Sequence, residues 1–302
     1  MHRSTQGSAM VDTAIPLAKV QPPQSYGRRV IKRFFKHKPA VAGLTFLLLL
    51  AVAIIIGPYF SPYSFDGQDF MLIGSPGPIS AQHWLGTDEL GRDSLTRLIY
   101  GGRVSLAVGL AGAIIATIAG TLVGALSGFY RGWTDALLMR LTDVMLSIPT
   151  LPLVLLLSGL FRPSPPLLVA IVGMLIWMGT ARLVRSQFLA LREREFVEAA
   201  RALGAGGARL MFRHILPNAI GPITVSATLA VGSAIMLESA LSFLGFGIQP
   251  PVPTWGNLLN SASSYLSVAP WLAIPPGLLI LCTVLAVNFL GDGLRDAMEP
   301  KE

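Results

Sequence analysis

The stretch "EAARALGAGGARLMFRHILPN", residues 198–218, is basic and punctuated by glycine, yet it stands between long apolar runs. The chain around it is 52% hydrophobic and only 13% charged, so a polar interruption of this length needs a reason. The run into it, Leu191 to Arg201, is compatible with a helix, but Arg192, Glu193, Arg194 and Glu195 make it too polar to sit in lipid. Gly204, Gly206 and Gly207 then break or sharply turn that helix. Residues 208–215, "ARLMFRHI", can form a second short helix ending before Pro217. Two short helices joined at a glycine make a knob. Leu210, Met211 and Phe212 beside Arg209 and Arg213 suit insertion into another protein's groove, although composition equally allows them to pack beneath their own helices.

The flanking runs set the fold class. A membrane-crossing helix needs about 20 predominantly apolar residues. Six stretches meet that need: Pro39–Phe60, Val104–Phe129, Leu137–Phe161, Leu167–Leu183, Ile220–Phe246 and Trp271–Leu290. The chain therefore reads as an all-α polytopic membrane protein with six transmembrane helices; a β-barrel would show short alternating segments instead. Of its 23 Lys and Arg residues, nineteen fall in residues 1–38, 129–141 and 182–213 and after residue 290. Only Arg92, Arg97, Arg103 and Arg162 lie on the other side. Basic residues near span ends collect on the cytoplasmic face, which puts both termini and residues 198–218 inside. A nucleic-acid-binding protein would not confine its basic charge to loops between spanning runs.

The expected organisation is a cytoplasmic basic tail over 1–38, a first span over 39–60 and an extracytoplasmic segment over 61–103. A transmembrane core over 104–291 follows, carrying the polar loop 192–217, and then a cytoplasmic tail over 292–302. The first 38 residues hold no apolar core suited to a secretory signal. "YGRRVIKRFFKHK" sets Val30, Ile31, Phe34 and Phe35 on one helical side, with Arg28, Arg29, Lys32, Arg33 and Lys36 around them. That pattern fits a helix lying among lipid headgroups, and fits equally a simple orientation anchor.

Several features within the core carry expectations. A short outer helix is expected from about Arg92 to Gly101, with Asp88, Glu89, Arg92 and Asp93 forming a solvated charged face. Gly112, Ala116, Gly120, Gly124 and Gly128 recur every fourth residue, a stripe that lets two helix backbones approach closely. Arg140 and Asp143, three residues apart, can pair on one helix side, and Pro149 and Pro152 should bend the third span. Glu238 sits inside the fifth run. An intramembrane acid is a candidate for a translocation path, although it could instead lie close to the outer interface or cap an interrupted helix. "GFGIQPPVPTWGNLL" reads as a turn followed by a short surface or re-entrant helix.

Residues 198–218 resemble the EAA loop of ATP-binding-cassette importer permeases. That pattern runs E-A-A, three residues, Gly, about nine residues, an aliphatic position and then L-P. Glu198, Ala199, Ala200, Gly204, Leu216 and Pro217 match it; His214 stands at the usual aliphatic spacing, with Ile215 one place later. "HWLGTDELGRDSLTRLIYGGRVSL", "MRLTDVMLSIP", "ALSFLGFGIQPPVPTWGNLL" and "NFLGDGLRDAMEP" resemble the dipeptide and oligopeptide branch, in its C-type subunit, from about Phe34 to Lys301. The resemblance implies a type I (MetI-like) permease fold in the bacterial inner membrane. It implies three kinds of partner besides membrane lipid: a second homologous permease, two cytoplasmic ATPase subunits and an extracytoplasmic substrate-binding protein. Gly204 would be the turn of a coupling helix, Ala205 to Arg213 the docking surface, and Glu198 a brace for the bend or a contact to the ATPase. Members of this branch import peptides, glutathione, nickel chelates or oligosaccharides, with peptide the expected cargo here.

The motor is expected elsewhere. No Gly is followed by Lys in the chain, so there is no phosphate loop, and ATP and Mg would be bound by the partners. His2, His37, His83 and His214 lack metal-ligand spacing, and Cys282 stands alone, so no metal, cofactor or catalytic residue is expected. The rival reading, an ion-coupled secondary transporter titrating Asp143 or Glu238, would need inverted repeats that the sequence does not display. A channel or a scaffold is the other rival.

Overall fold

The computed structural model describes residues 26–161 and 164–298. The remainder of the basic N-terminal tail, Arg162 and Lys301 lie outside the described residues. Helix α1 (Tyr26–Phe34) leads into α2 (Lys38–Phe60). The His37 Nδ1 accepts the Ala40 N–H at 3.2 Å to cap α2, and Pro39 occupies the first turn, where no donor is needed. At 1.5 Å per residue, α2 is about 35 Å long and spans a hydrocarbon core of about 30 Å.

The next helix differs from expectation. No separate outer helix precedes the second span, because α3 (Ser94–Tyr130) runs unbroken for 37 residues. Gly101 and Gly102 do not break it. They admit close neighbours: a methyl on Gly101 would lie 3.2 Å from the Thr254 carbonyl carbon, and one on Gly102 would lie 2.9 Å from the Trp255 ring. The third span is bent as the prolines suggest, with α4 (Gly132–Ser147) and α5 (Thr150–Phe161) meeting at 84°. Pro149 and Pro152 supply no backbone donors at this break. The chain continues through α6 (Pro165–Arg192), α7 (Glu195–Ala202) and α8 (Gly207–Arg209). It then passes through a wide turn over Leu210–Ile215 into α9 (Leu216–Phe243). The segment from Gly207 to Phe243 is thus one continuous helical rod rather than a short helix that stops before Pro217. In the wide turn the Leu216 N–H reaches back five residues to the Met211 carbonyl, a ladder that accommodates Pro217 within the rod.

Helix α10 (Trp255–Ser263) is capped at both hydrogen-bonding positions by Thr254 and Asn257, and α11 (Ile274–Met298) closes the chain. The last turns of α11 occupy most of what reads in sequence as a separate tail, because Ala297 packs against Phe34 and Ala40. Among the described residues five helices are long and apolar enough to cross a membrane, and counting the bent pair α4–α5 as one span brings the number to six.

Small residues set the arrangement of the spans. Gly120 and Gly128 let α3 lie directly on α6: an added methyl would meet the Trp177 carbonyl oxygen and the Arg185 carbonyl oxygen, each at 2.7 Å. Gly173 of α6 answers from the other side, where a methyl would come 2.7 Å from Ile115. In lipid, where apolar burial gives helices little drive to associate, such backbone proximity supplies the packing. Helix α9 packs on α3, α6 and α11, and α11 also packs on α2.

The expected cluster of Asp88, Glu89, Arg92 and Asp93 forms no solvated face. Asp88, Arg92, Asp93 and Arg97 are buried, and only Glu89 retains partial exposure. The Arg92 Nε donates to Asp88 Oδ2 at 2.7 Å, and the Arg97 Nη1 donates to the Phe65 carbonyl at 2.9 Å. Asp93 lies 2.9 Å from His83 Nδ1 and caps α3 by accepting the Thr96 N–H at 2.8 Å. These bonds fold residues 61–93 into a lid across the start of α3.

Candidate functional site

The polar loop begins where α6 ends at Arg192. Helix α7 closes in a turn that accounts for the spacing of its alanines and glycine. The Ala205 N–H donates to the Ala200 carbonyl at 3.0 Å, and the Gly204 N–H donates to the Arg201 carbonyl at 2.9 Å. This is the paired closure of a helix ending in a left-handed residue, and Gly204 adopts φ +82°. An L side chain would be strained there. Ala200 and Ala205, bonded across the turn, both pack against the apolar cluster beneath the loop.

That cluster decides which side chains the knob can offer. Leu210 and Met211 are 3% and 5% exposed, and they pack with Ile215, Val197, Val184 and Phe188. Of the expected docking residues, these two belong to the underside and not to the surface. The physical reason is phase: in the wide turn, residues advance by less than the ordinary helical angle, so one face holds both Leu210 and Met211. Phe212 remains outside at 59% exposure, flanked by exposed Arg209 and Arg213. Leu203, which the sequence reading passed over, is 89% exposed beside Gly204. Ala205 and Leu216 are half-buried, while Ala199, Gly204 and Pro217 are exposed. Glu198 is also exposed in the first turn of α7, and its side chain takes no hydrogen-bond or ion-pair partner among the described residues. It does not brace the bend within this chain.

The knob is tied to the first bend of the core. Phe129, at the end of α3, lies under Gly207, where a methyl would come 3.3 Å from its ring. The Arg192 Nη1 donates to the Phe129 carbonyl, and its guanidinium lies 5.8 Å from the Phe129 ring centre. One helical step further on, Asp135 of α4 receives both the Nε (2.6 Å) and an Nη (2.7 Å) of Arg185 from α6, and also accepts from Ser127. Two parallel bonds fix orientation as well as distance. The expected Arg140–Asp143 pair is replaced by a contact between helices, since Asp143 accepts from Arg182 at 2.6 Å. Spacing along one helix cannot reveal a partner on another.

Glu238 lies far along the rod. It is fully buried, and it lines no open path within this subunit. Ser242 donates to its Oε1 at 2.7 Å, and Ser105 of α3 donates to its Oε2 at 2.9 Å. Ser105 in turn accepts the Trp255 N–H at 3.2 Å, which brings the first turn of α10 into the same node. Small hydroxylated residues at 105, 239 and 242 leave room for the carboxylate and satisfy it, as a buried acid requires. The carboxylate therefore ties α3, α9 and α10 together. Ser242, one turn after Glu238, was visible in sequence; Ser105, 133 positions away, was not. Among the described residues no group of three or more His, Cys, Asp and Glu could hold a metal ion.

Comparison with known proteins agrees with this architecture. A family described as binding-protein-dependent transport system inner membrane component matches residues 120–302, and the N-terminal TM domain of oligopeptide transport permease C matches residues 25–76. The oligopeptide transport system permease proteins OppC of Haemophilus influenzae and Escherichia coli are each 42% identical over 271 residues. Both alignments cover 90% of this chain, with 87% and 90% of those proteins. A putative peptide permease of Brucella suis is 42% identical over 275 residues, covering 90% of each chain. A solved inward-facing structure of the MetNI methionine ABC transporter superposes with a TM-score of 0.52. It covers 67% of this chain and 96% of its own at 20% identity, a likeness of fold.

Proposed function

Because this chain belongs to the family of binding-protein-dependent transport system inner membrane components, we propose that it is one permease subunit of an ATP-driven importer of di- and oligopeptides. The peptide cargo follows from relatives named as oligopeptide permeases that align over nine-tenths of the chain. A second, non-identical permease would complete the translocation path. Two ATPase subunits would dock on the cytoplasmic side, and a binding protein would deliver peptide from outside. The excess of Lys and Arg at one end of the spans supports a cytoplasmic-membrane location with both termini inside.

The observation that carries the reading is the turn at Gly204. It presents Leu203, Phe212, Arg209 and Arg213 outward at the basic end, while Leu210 and Met211 anchor the same turn in the core. A surface that is apolar at its centre, charged at its rim and rigidly seated suits a groove in a moving partner. ATP and Mg would stay in the ATPases. Their closure on ATP would push the knob, the rod α8–α9 would carry the motion, and the path would alternate between inward and outward access. Coupling of this kind requires that the ATPase bind nucleotide differently in the two states. Unpaired Glu198 is free to meet a basic or amide group of the ATPase.

The test is purification of the tagged chain from its native membrane, with identification of co-purifying subunits and an ATPase assay with binding protein. Recovery of a second permease and ATPases, with hydrolysis raised by peptide-loaded binding protein, is the expected result. Stimulation by another cargo but not by peptides would overturn the substrate assignment. Transport by the chain without any ATPase would overturn the mechanism.

A further inference from the structure

Helix α1 is divided into three faces by what each touches. Val30 and Phe34 turn toward α11 and pack with Leu290, Leu294 and Ala297. Ile31 and Phe35, one turn apart on the adjoining face, are each 61% exposed. Arg28, Arg29, Lys32 and Lys36 fill the rest of the circumference, all exposed and without an ion-pair partner among the described residues. No acidic residue occurs from Tyr26 to Phe60. The helix is held at a fixed place by its contact with α11, by the short elbow at His37 and by the 3.5 Å approach of His37 Nε2 to Asp296.

We propose that the outer faces of α1 form a binding surface for anionic phospholipid, with Ile31 and Phe35 in the acyl boundary and Arg28, Arg29, Lys32 and Lys36 on the headgroups. The occupant follows from three observations. The helix adjoins the start of a spanning helix, which sets it at the level of the headgroups. Its exposed apolar residues form a narrow stripe beside cations, the division expected at a water–lipid boundary. The charge is of one sign, so a neutral bilayer would leave these cations without partners. An orientation anchor alone would need the charges but not the exposed Ile31 and Phe35. Each cation near an anionic surface strengthens local association about five-fold. Since α1 seats on α11, lipid bound there also bears on the closing helix of the core.

This inference rests on membrane insertion but not on the cargo or the motor, and its test reads α1 directly. The full chain, alone and in its complex, would be placed in nanodiscs of phosphatidylcholine with or without phosphatidylglycerol. Amide hydrogen exchange would then be followed over residues 26–36. Slower exchange in the anionic discs, reversed by high salt and lost in the R28Q/R29Q/K32Q/K36Q variant, is the expected result. The single variants R29Q and K32Q, which leave most of the charge for insertion, should each remove part of the difference. Unchanged slow exchange in the spans would certify that a variant is folded. Equal exchange in the two lipid mixtures would overturn the proposal. So would protection that appears only when ATPase subunits are added, because it would assign the surface to a protein partner.

Discussion

Replacing Gly204 by valine tests the knob at its weakest mechanical point. Gly204 holds φ +82°, and an added methyl would meet nothing within 4 Å, so the substitution adds strain without a clash. A left-handed conformation costs an L residue roughly 1–2 kcal/mol, and a β-branched one sits at the upper end. The turn is held by the two closing bonds from Gly204 and Ala205, each worth about 1 kcal/mol net. Strain and bonding thus nearly cancel, and the observed turn should fall from the dominant form to one among several. Asparagine tolerates the same backbone region and serves as the control. Binding-protein-stimulated ATPase activity of the reconstituted complex should drop by up to about ten-fold in Gly204→Val, the factor that about 1.4 kcal/mol represents, and much less in Gly204→Asn. Thermal unfolding of the subunit should change little, because the site is exposed. Equal activity in both variants, or equal loss, would refute the argument from backbone conformation.

Other perturbations separate the remaining parts. Phe212→Ala should weaken recovery of the ATPase subunits by roughly ten-fold or more, as truncation of an exposed aromatic anchor does, whereas a change of affinity no larger than that of Ala208→Ser would remove Phe212 from the interface. Gly120→Leu must part α3 from α6, where even a methyl would lie 2.7 Å from the Trp177 carbonyl oxygen. A cost of about 1–3 kcal/mol is expected in thermal unfolding, with Gly179→Ala, which meets open space, near neutral. A double-mutant cycle on Asp135→Asn and Arg185→Gln should return a coupling of about 1–3 kcal/mol, and a value near zero would deny that the pair joins α4 to α6. Glu238→Gln should leave the apparent affinity for peptide unchanged, while Glu238→Leu, which strands Ser105 and Ser242, should lower the unfolding temperature; altered peptide affinity in the Gln variant would return Glu238 to the transport path.

Much of this fold is legible in the sequence because the membrane enforces simple rules. Apolar length locates the spans, and the glycine repeat on α3 announces a close helix contact. The motif from Glu198 to Pro217 locates the knob, since Ala200 and Gly204 occupy positions fixed by one turn geometry. What escapes the sequence depends on contacts distant along the chain. Asp88, Arg92 and Asp93 resemble a solvated face until His83 and Thr96 engage Asp93, and Arg97, itself bonded to the Phe65 carbonyl, comes within 3.4 Å of Asp88. Gly101 and Gly102 look like a break because Ile54, Thr254 and Trp255, all distant along the chain, reveal that they serve close packing. Whether Leu210 and Met211 face outward or lie beneath the loop is not decided by the sequence, because an angle of 100° per residue fails where the helix widens.

The rod from Gly207 to Phe243 has a geometric consequence of its own. At 1.5 Å per residue it extends about 55 Å, with the wide turn over Leu210–Ile215 at one end and the Glu238 node near the other. Near its midpoint Ser226 meets Thr180 of α6 at 2.9 Å, and one turn earlier Pro222 removes a rung from the backbone ladder. The rod is thus held at three heights: Leu210, Met211 and Ile215 seat its basic end in the core, Ser226 meets α6 midway, and Glu238 ties its far end to α3 and α10. A strut fixed at three points does not tilt alone, so any displacement of its basic end is shared with α3 and α6.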